Sequence, residues 1–193
     1  MKFDNLFYRK SEILFLTCML MIGHASLYCQ DSLIFVKEIK VRGDQFTTDN
    51  LGNCYVVTNN QINKYSSAGV FIQKFSDMQY GEIYSVDATD PNKIIVFFRD
   101  FGNLLILDNT LSQNGPVFNL RFNQFDQPVV ACRSFNNGFW IFDVLPNELH
   151  RLDRNFMVLH KTGNLTQIIG IEVRPNFARE HNNLLYLNND GKG

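Results

Sequence analysis

A chain of 193 residues with a formal charge of −1, 45% apolar and 13% aromatic, has the material for a sizeable core and lacks the basic surface that nucleic acid or an anionic membrane requires. Its charged residues are scattered, with no run of one sign. Four cysteines and four histidines give neither a disulfide framework nor metal-ligand spacing.

The first element is a basic start (Lys2, Arg9, Lys10) followed by an apolar stretch over 13–22, broken only by Thr17, and then by the small residues Gly23, Ala25 and Ser26. That order predicts a secretory signal peptide over 1–29, cleaved after Ala25 or Cys29; a buried N-terminal helix is the alternative. The apolar run is too short for an ordinary transmembrane helix. Thr17 and Tyr28 are poor residues before a lipidated cysteine, which argues against anchoring at Cys18 or Cys29. The expected location is therefore the periplasm, cell surface or extracellular space, with no transmembrane helix left after cleavage. Of the remaining cysteines, Cys54 and Cys132 fall on different strand types in different repeats. Two separate buried thiols are expected rather than a bridge.

A leading strand is expected over 33–41. Four short apolar runs then begin at Cys54, Ile94, Phe139 and Leu184, spaced by 40, 45 and 45 residues. Around each run the same grammar repeats. Unit one (45–75) has strands at 45–48, 54–58, 61–65 and 70–75. Unit two (83–120) has them at 83–88, 94–98, 104–107 and 117–120, and unit three (129–161) at 129–134, 139–142, 149–152 and 156–161. Unit four (170–193) offers 170–174 and 184–187, then the hairpin signal Asn188-Asn189-Asp190-Gly191. Turns such as Asn59-Asn60, Asn136-Asn137-Gly138 and Pro146-Asn147 separate the strands. No stretch of helical length after residue 29 carries a 3.6-residue period.

A strand-only repeat of this length predicts an all-β fold, a β-propeller with about three and a half four-stranded blades; a β-sandwich is the alternative. The Asp49-Asn50-Leu51-Gly52-Asn53 cluster before the second strand and Lys64-Tyr65-Ser66-Ser67-Ala68-Gly69 after the third resemble NHL-like and related β-propeller repeats of exported bacterial proteins, over residues 45–193. No tryptophan–aspartate signature and no aspartate box accompanies them. The resemblance implies a propeller that binds ligands or partners at one face or in a central channel. Three and a half units leave a ring open, so either further repeats or partner subunits are expected to close it.

In such a fold the first strand of each unit lines the channel. That makes Asp87, Arg133, Glu172 and Arg174, with Thr47 and Thr48, the candidate ligand-binding residues. Alternation sets Glu172 and Arg174 on one side and Ile171 and Val173 on the other. An arginine fork grips carboxylate or phosphate, so an anionic or polar ligand is one reading; mutual pairing of these residues, or contact with channel water, is the other. Asp90, beside Asp87, reads as a turn former. His150 and His160 read as ordinary surface histidines. Phe97, Phe98, Phe101, Phe135, Phe139 and Trp140 read as sheet-packing core rather than a loop face. Asn164-Leu165-Thr166 is a glycosylation sequon.

No catalytic, metal or cofactor residue stands out. The expected function is an exported binding or scaffold module for a protein or glycan partner. A propeller lyase or hydrolase, which needs Asp87, Arg133 and Glu172 to meet in one pocket, is the second reading, and a structural envelope component the third.

Overall fold

The computed structural model describes residues 34–35 and 38–189; the signal peptide expected over 1–29 lies outside the described residues. The chain divides into two units, Met1–Glu38 and Ile39–Gly193. The described residues of the first unit, Ile34, Phe35 and Glu38, are exposed and in no strand. The leading strand expected over 33–41 does not form at any described position there. At its end Val41 N–H turns back to Ile39 O at 3.0 Å, a three-residue turn in place of a ladder.

The second unit begins with a four-stranded antiparallel meander: β1 (Gln45–Thr48), β2 (Cys54–Thr58), β3 (Gln61–Tyr65) and β4 (Phe71–Ser76). A second repeats the order with β5 (Ser85–Asp87), β6 (Ile94–Phe98), β7 (Asn103–Leu107) and β8 (Phe118–Asn119). A third follows with β9 (Pro128–Ser134), β10 (Gly138–Asp143), β11 (Glu148–Leu152) and β12 (Val158–Lys161). The fourth sheet has two strands, β13 (Pro175–His181) and β14 (Leu184–Asn189). Turn chemistry explains the breaks. Asn59-Asn60, Asn136-Asn137 and Asn182-Asn183 each put two consecutive asparagines at φ between 48° and 61°, the geometry a two-residue hairpin requires.

The sheets stack face to face, and the sequence shows why. Strand β6 reads Ile-Ile-Val-Phe-Phe without a polar alternate because both its faces are covered. Ile94, Val96 and Phe98 pack with Tyr55, Val57 and Ile62 of the first sheet, whereas Ile95 and Phe97 pack with Ala131, Phe139 and Ile141 of the third. In turn Phe142, Cys132 and Leu149 of the third sheet meet Ala178 and Leu187 of the fourth, and Val173 just before it. Each such large apolar side chain contributes about 1.5–3 kcal/mol by leaving water. Four stacked sheets rule out the two-layer sandwich. Strands β1, β5, β9 and β13 neighbour one another in succession. Between them lies a small hollow of about 30 Å³, lined by Thr47, Ser85, Asp87, Ala131, Ala178 and Arg179 among others.

Unit four departs from expectation. Residues 170–174 are bend and coil; its first strand is β13, Pro175–His181. The linker carries a helix absent from the sequence reading, α1 (Leu165–Ile169). The sequon residue Asn164 caps α1 by accepting from Gln167 N, Gly170 ends it at φ 75°, and the Asn164 amide also donates to Pro146 O. Cys54 and Cys132 are separate free thiols; Cys132 is fully buried, which pushes its pKa well up.

Candidate functional site

Strand β5 ends at Asp87, and the chain turns through Asp90 and Lys93 into β6. Asp87 Oδ1 accepts from Thr89 N (3.0 Å) and Thr89 Oγ1 (2.6 Å), closing an Asx turn. Its other oxygen, Oδ2, accepts from Arg133 N on β9 at 2.9 Å, so one carboxylate both shapes its own turn and ties the second sheet to the third. Arg133 faces the second sheet, as do Ala131 and Phe139, and its guanidinium lies 4.0 Å from Asp90 Oδ2. Its Nε is buried with no hydrogen-bond partner.

Lys93 completes this seam. Its Nζ sits 4.1 Å from the centre of the Phe139 ring and donates to Asn137 O. Burial and, next, the charge of Arg133 bring the Lys93 pKa down to about 8, with Asp90 pulling the other way. Above the seam opens a cleft of about 420 Å³. The β5–β6 turn gives it Asp90, Asn92 and Lys93; the β9–β10 turn gives Asn137; β7 and the loop after it give Ile106 and Asn114; the β11–β12 turn gives Arg154. It therefore lies on the side of the stack where turns of the second and third sheets converge.

Of the four residues expected to line a channel, the structure joins two. Asp87 and Arg133 meet at the seam, and only Asp87 borders the inner hollow. Glu172 and Arg174 precede β13 and bond to each other: Arg174 Nε and Nη2 lie 2.7 and 2.6 Å from Glu172 Oε1. Both side chains are exposed, and Asn189 holds the backbone of each against β14. No hydrogen bond or ion pair among the described residues links them to Asp87 or Arg133. The position they were expected to fill on the fourth inner strand belongs to Arg179. Thr47 borders the hollow, while Thr48 is exposed at the end of β1.

Lys93, Asn137 and Arg154 escaped the sequence reading, although a signal existed. Contacts across the seams recur near one repeat length: Asp87 to Arg133 is 46 residues, Lys93 to Asn137 is 44, and Lys64, whose Nζ donates to Asn109 O at 2.6 Å, is 45 away. Glu180 follows the same spacing, accepting from Ser134 Oγ (3.0 Å) and Phe135 N (2.9 Å), and also from Trp140 Nε1. The aromatics divide. Phe97, Phe98 and Phe139 are core, Trp140 is half-buried, and Phe101 and Phe135 are exposed. His150 is buried against the Phe125 ring, contrary to the surface placement expected; His160 is exposed and lies opposite Arg151, not His150.

Among solved structures, the chain is similar to selenomethionine-substituted virginiamycin B lyase from Staphylococcus aureus, with 11% identity and a TM-score of 0.54 over 82% of this chain and 61% of that one. A catalytically inactive form of the same lyase with quinupristin gives 10% identity and a TM-score of 0.51 over 76% and 55%. A streptogramin B lyase gives 13% and 0.51 over 75% and 47%. The fold is a partial β-propeller. At these identities the likeness concerns the fold alone, and the chain spans between 47% and 61% of the length of these proteins. No protein-family model and no curated protein matches it.

Proposed function

We propose that this propeller is an exported binding module, and that it recognises a glycan through the cleft between its second and third sheets. The observation that carries the reading is the lining of that cleft. Three asparagines, Asn92, Asn114 and Asn137, surround it with Lys93, Arg154 and Asp90. The three side-chain amides make no hydrogen bond among the described residues, and each offers a donor and an acceptor to hydroxyl groups. Export rests on the charge order and apolar length of residues 1–29.

The likeness to structures of lyases suggests a catalytic alternative. It asks Asp87, Arg133 and Glu172 to share a pocket. Glu172 is bonded to Arg174, and Asp87 already accepts three hydrogen bonds from its turn and from Arg133 N, which favours binding over chemistry.

A glycan array probed with the full chain tests the reading, alongside a variant carrying Asn92→Ala, Asn137→Ala and Arg154→Ala. All three positions are exposed turn residues. Discrete saccharide signals that the variant loses support a glycan site in this cleft. A blank array, or signals the variant keeps, overturns it; a protein ligand that competes for the same residues would move the partner to another class.

A further inference from the structure

The cleft has a charge asymmetry that a site for neutral sugar has no use for. Two cations, Lys93 and Arg154, line it against one carboxylate, Asp90, and Arg133 stands behind with its Nε buried and unpartnered. Asp90 is already engaged: its Oδ1 accepts from Asn92 N at 3.0 Å and its Oδ2 faces Arg133. Arg154 has no acidic partner among the described residues, and the Lys93 ammonium has one acceptor, Asn137 O, for its three protons. The cleft thus presents two incompletely satisfied cations beside three free amides.

We propose that the ligand is an acidic saccharide, its carboxylate facing Lys93 and Arg154 and its hydroxyls facing Asn92, Asn114 and Asn137. This rests on the glycan-binding reading above and narrows its substrate class. An incoming carboxylate supplies the counter-charge that the seam lacks, and it does so where the Phe139 ring and the third sheet exclude water from one side of Lys93.

A consequence separates this site from an ordinary surface patch. In the free protein Lys93 titrates at about 8, lowered by burial and Arg133 and raised by Asp90. The other charged groups at the seam and cleft are Asp87, Asp90, Arg133 and Arg154. A bound carboxylate favours the protonated lysine, so affinity is highest below pH 8 and falls as pH rises. Between about pH 7 and pH 9 the protonated fraction drops from roughly nine-tenths to one-tenth, which limits the loss of affinity to roughly tenfold.

Calorimetric titration of the full chain with trigalacturonate, neutral galactotriose and inorganic phosphate, near pH 7 and pH 9, tests this. The expected result is binding of the acidic trisaccharide with a several-fold loss, at most about tenfold, at the higher pH, and several-fold or greater weakening with galactotriose or phosphate. Arg154→Gln, in an exposed turn, should weaken binding several-fold at both pH values. Lys93→Gln, checked for an unchanged thermal unfolding profile, should abolish the pH dependence. Equal binding of the acidic and neutral trisaccharides, or a pH-independent Kd, overturns the inference and leaves the glycan reading intact. Phosphate binding as tightly as trigalacturonate reduces the site to a bare anion site. Failure of both sugars overturns the inference, and the array then decides whether the glycan reading falls with it.

Discussion

Two polar side chains outside the cleft, the half-buried Glu180 and the buried His150, show how far single residues govern this fold. Glu180 gathers three donors of the third sheet, Ser134 Oγ, Phe135 N and Trp140 Nε1. Removing a charged acceptor from such a set leaves half-buried donors without a partner, so Glu180→Ala should cost about 2–3 kcal/mol. Trp140 is the chain's one tryptophan, and urea unfolding followed by its fluorescence reads the effect, with a red-shifted native emission also expected. An unchanged midpoint and spectrum would show the clamp to be idle. His150 acts in the opposite sense. It is 3% exposed, neither ring nitrogen has a hydrogen bond, and Glu148 Oε2 stands 3.4 Å from Nε2 outside bonding geometry. Burial chiefly, then Lys161, lowers its pKa below 6.5, against the pull of Glu148 and Asp143. The folded protein therefore holds His150 neutral where the unfolded chain takes up a proton. Stability is fully present above about pH 6.5 and declines as pH falls below it, by at most about 1.4 kcal/mol per pH unit from this residue. His150→Leu should flatten that slope in chemical-denaturation curves between pH 7 and 5; parallel curves for the two proteins would assign the pH sensitivity elsewhere.

The elements of the first three sheets were legible because hairpin chemistry and short apolar runs agree there. The central strands β2 and β6, and β3 beside β2, begin and end where Asn, Asp and Gly turns place them. The fourth sheet was not legible, for two physical reasons. Ile171-Glu172-Val173-Arg174 imitates strand alternation but has no neighbour to pair with, whereas Pro175–His181 reads poorly as a strand and is made one by its ladder with β14 and by Ala178 packing on the third sheet. Helix α1 is five residues long, too short for a period to show; capping and anchorage fix it. That anchorage comes from Asn147 in the β10–β11 hairpin. At φ 57°, Asn147 donates to Val173 O (2.8 Å) and accepts from Thr166 N (3.2 Å) and Thr166 Oγ1 (3.0 Å). Asn60 does the same job in the first sheet, donating to Gly81 O at 3.0 Å and accepting from Ile83 N at 2.7 Å, at φ 60°. In each case a hairpin asparagine holds the link to the next sheet. Asn147→Gly keeps the backbone geometry but loses the bonds, while Asn147→Ala loses both. Thermal melts should rank wild type above Gly above Ala, with about 1 kcal/mol between the two variants; a reversed order would deny the backbone its part.

Across the stacked sheets, the repeat period does more than mark the fold. Residues one period apart touch across a seam, which is how Asp87 reaches Arg133 and Lys93 reaches Asn137. The strand positions of Asp87 and Arg133 were legible, although neither residue lines the cleft. The cleft itself was not, because it forms from turns whose convergence depends on how consecutive sheets stack. Among the described residues the stacking also leaves the outer face of the first sheet open: Ile39, Val41, Phe46, Cys54, Val56 and Tyr65 line a hollow of about 250 Å³ there, with Phe46 75% exposed. Apolar surface of this kind promotes association. Phe46→Lys should lower concentration-dependent self-association in sedimentation velocity without lowering stability; unchanged association would place the sticky surface elsewhere. The central claim is that ligand enters the cleft between the second and third sheets, not the hollow among the inner strands. Side-chain amide resonances in an isotope-labelled sample, titrated with trigalacturonate, test it most directly. The account predicts saturable shifts at Asn92, Asn114 and Asn137 with little change around Thr47 and Arg179. Shifts centred on Thr47, Asp87 and Arg179, with the three asparagines silent, would contradict it.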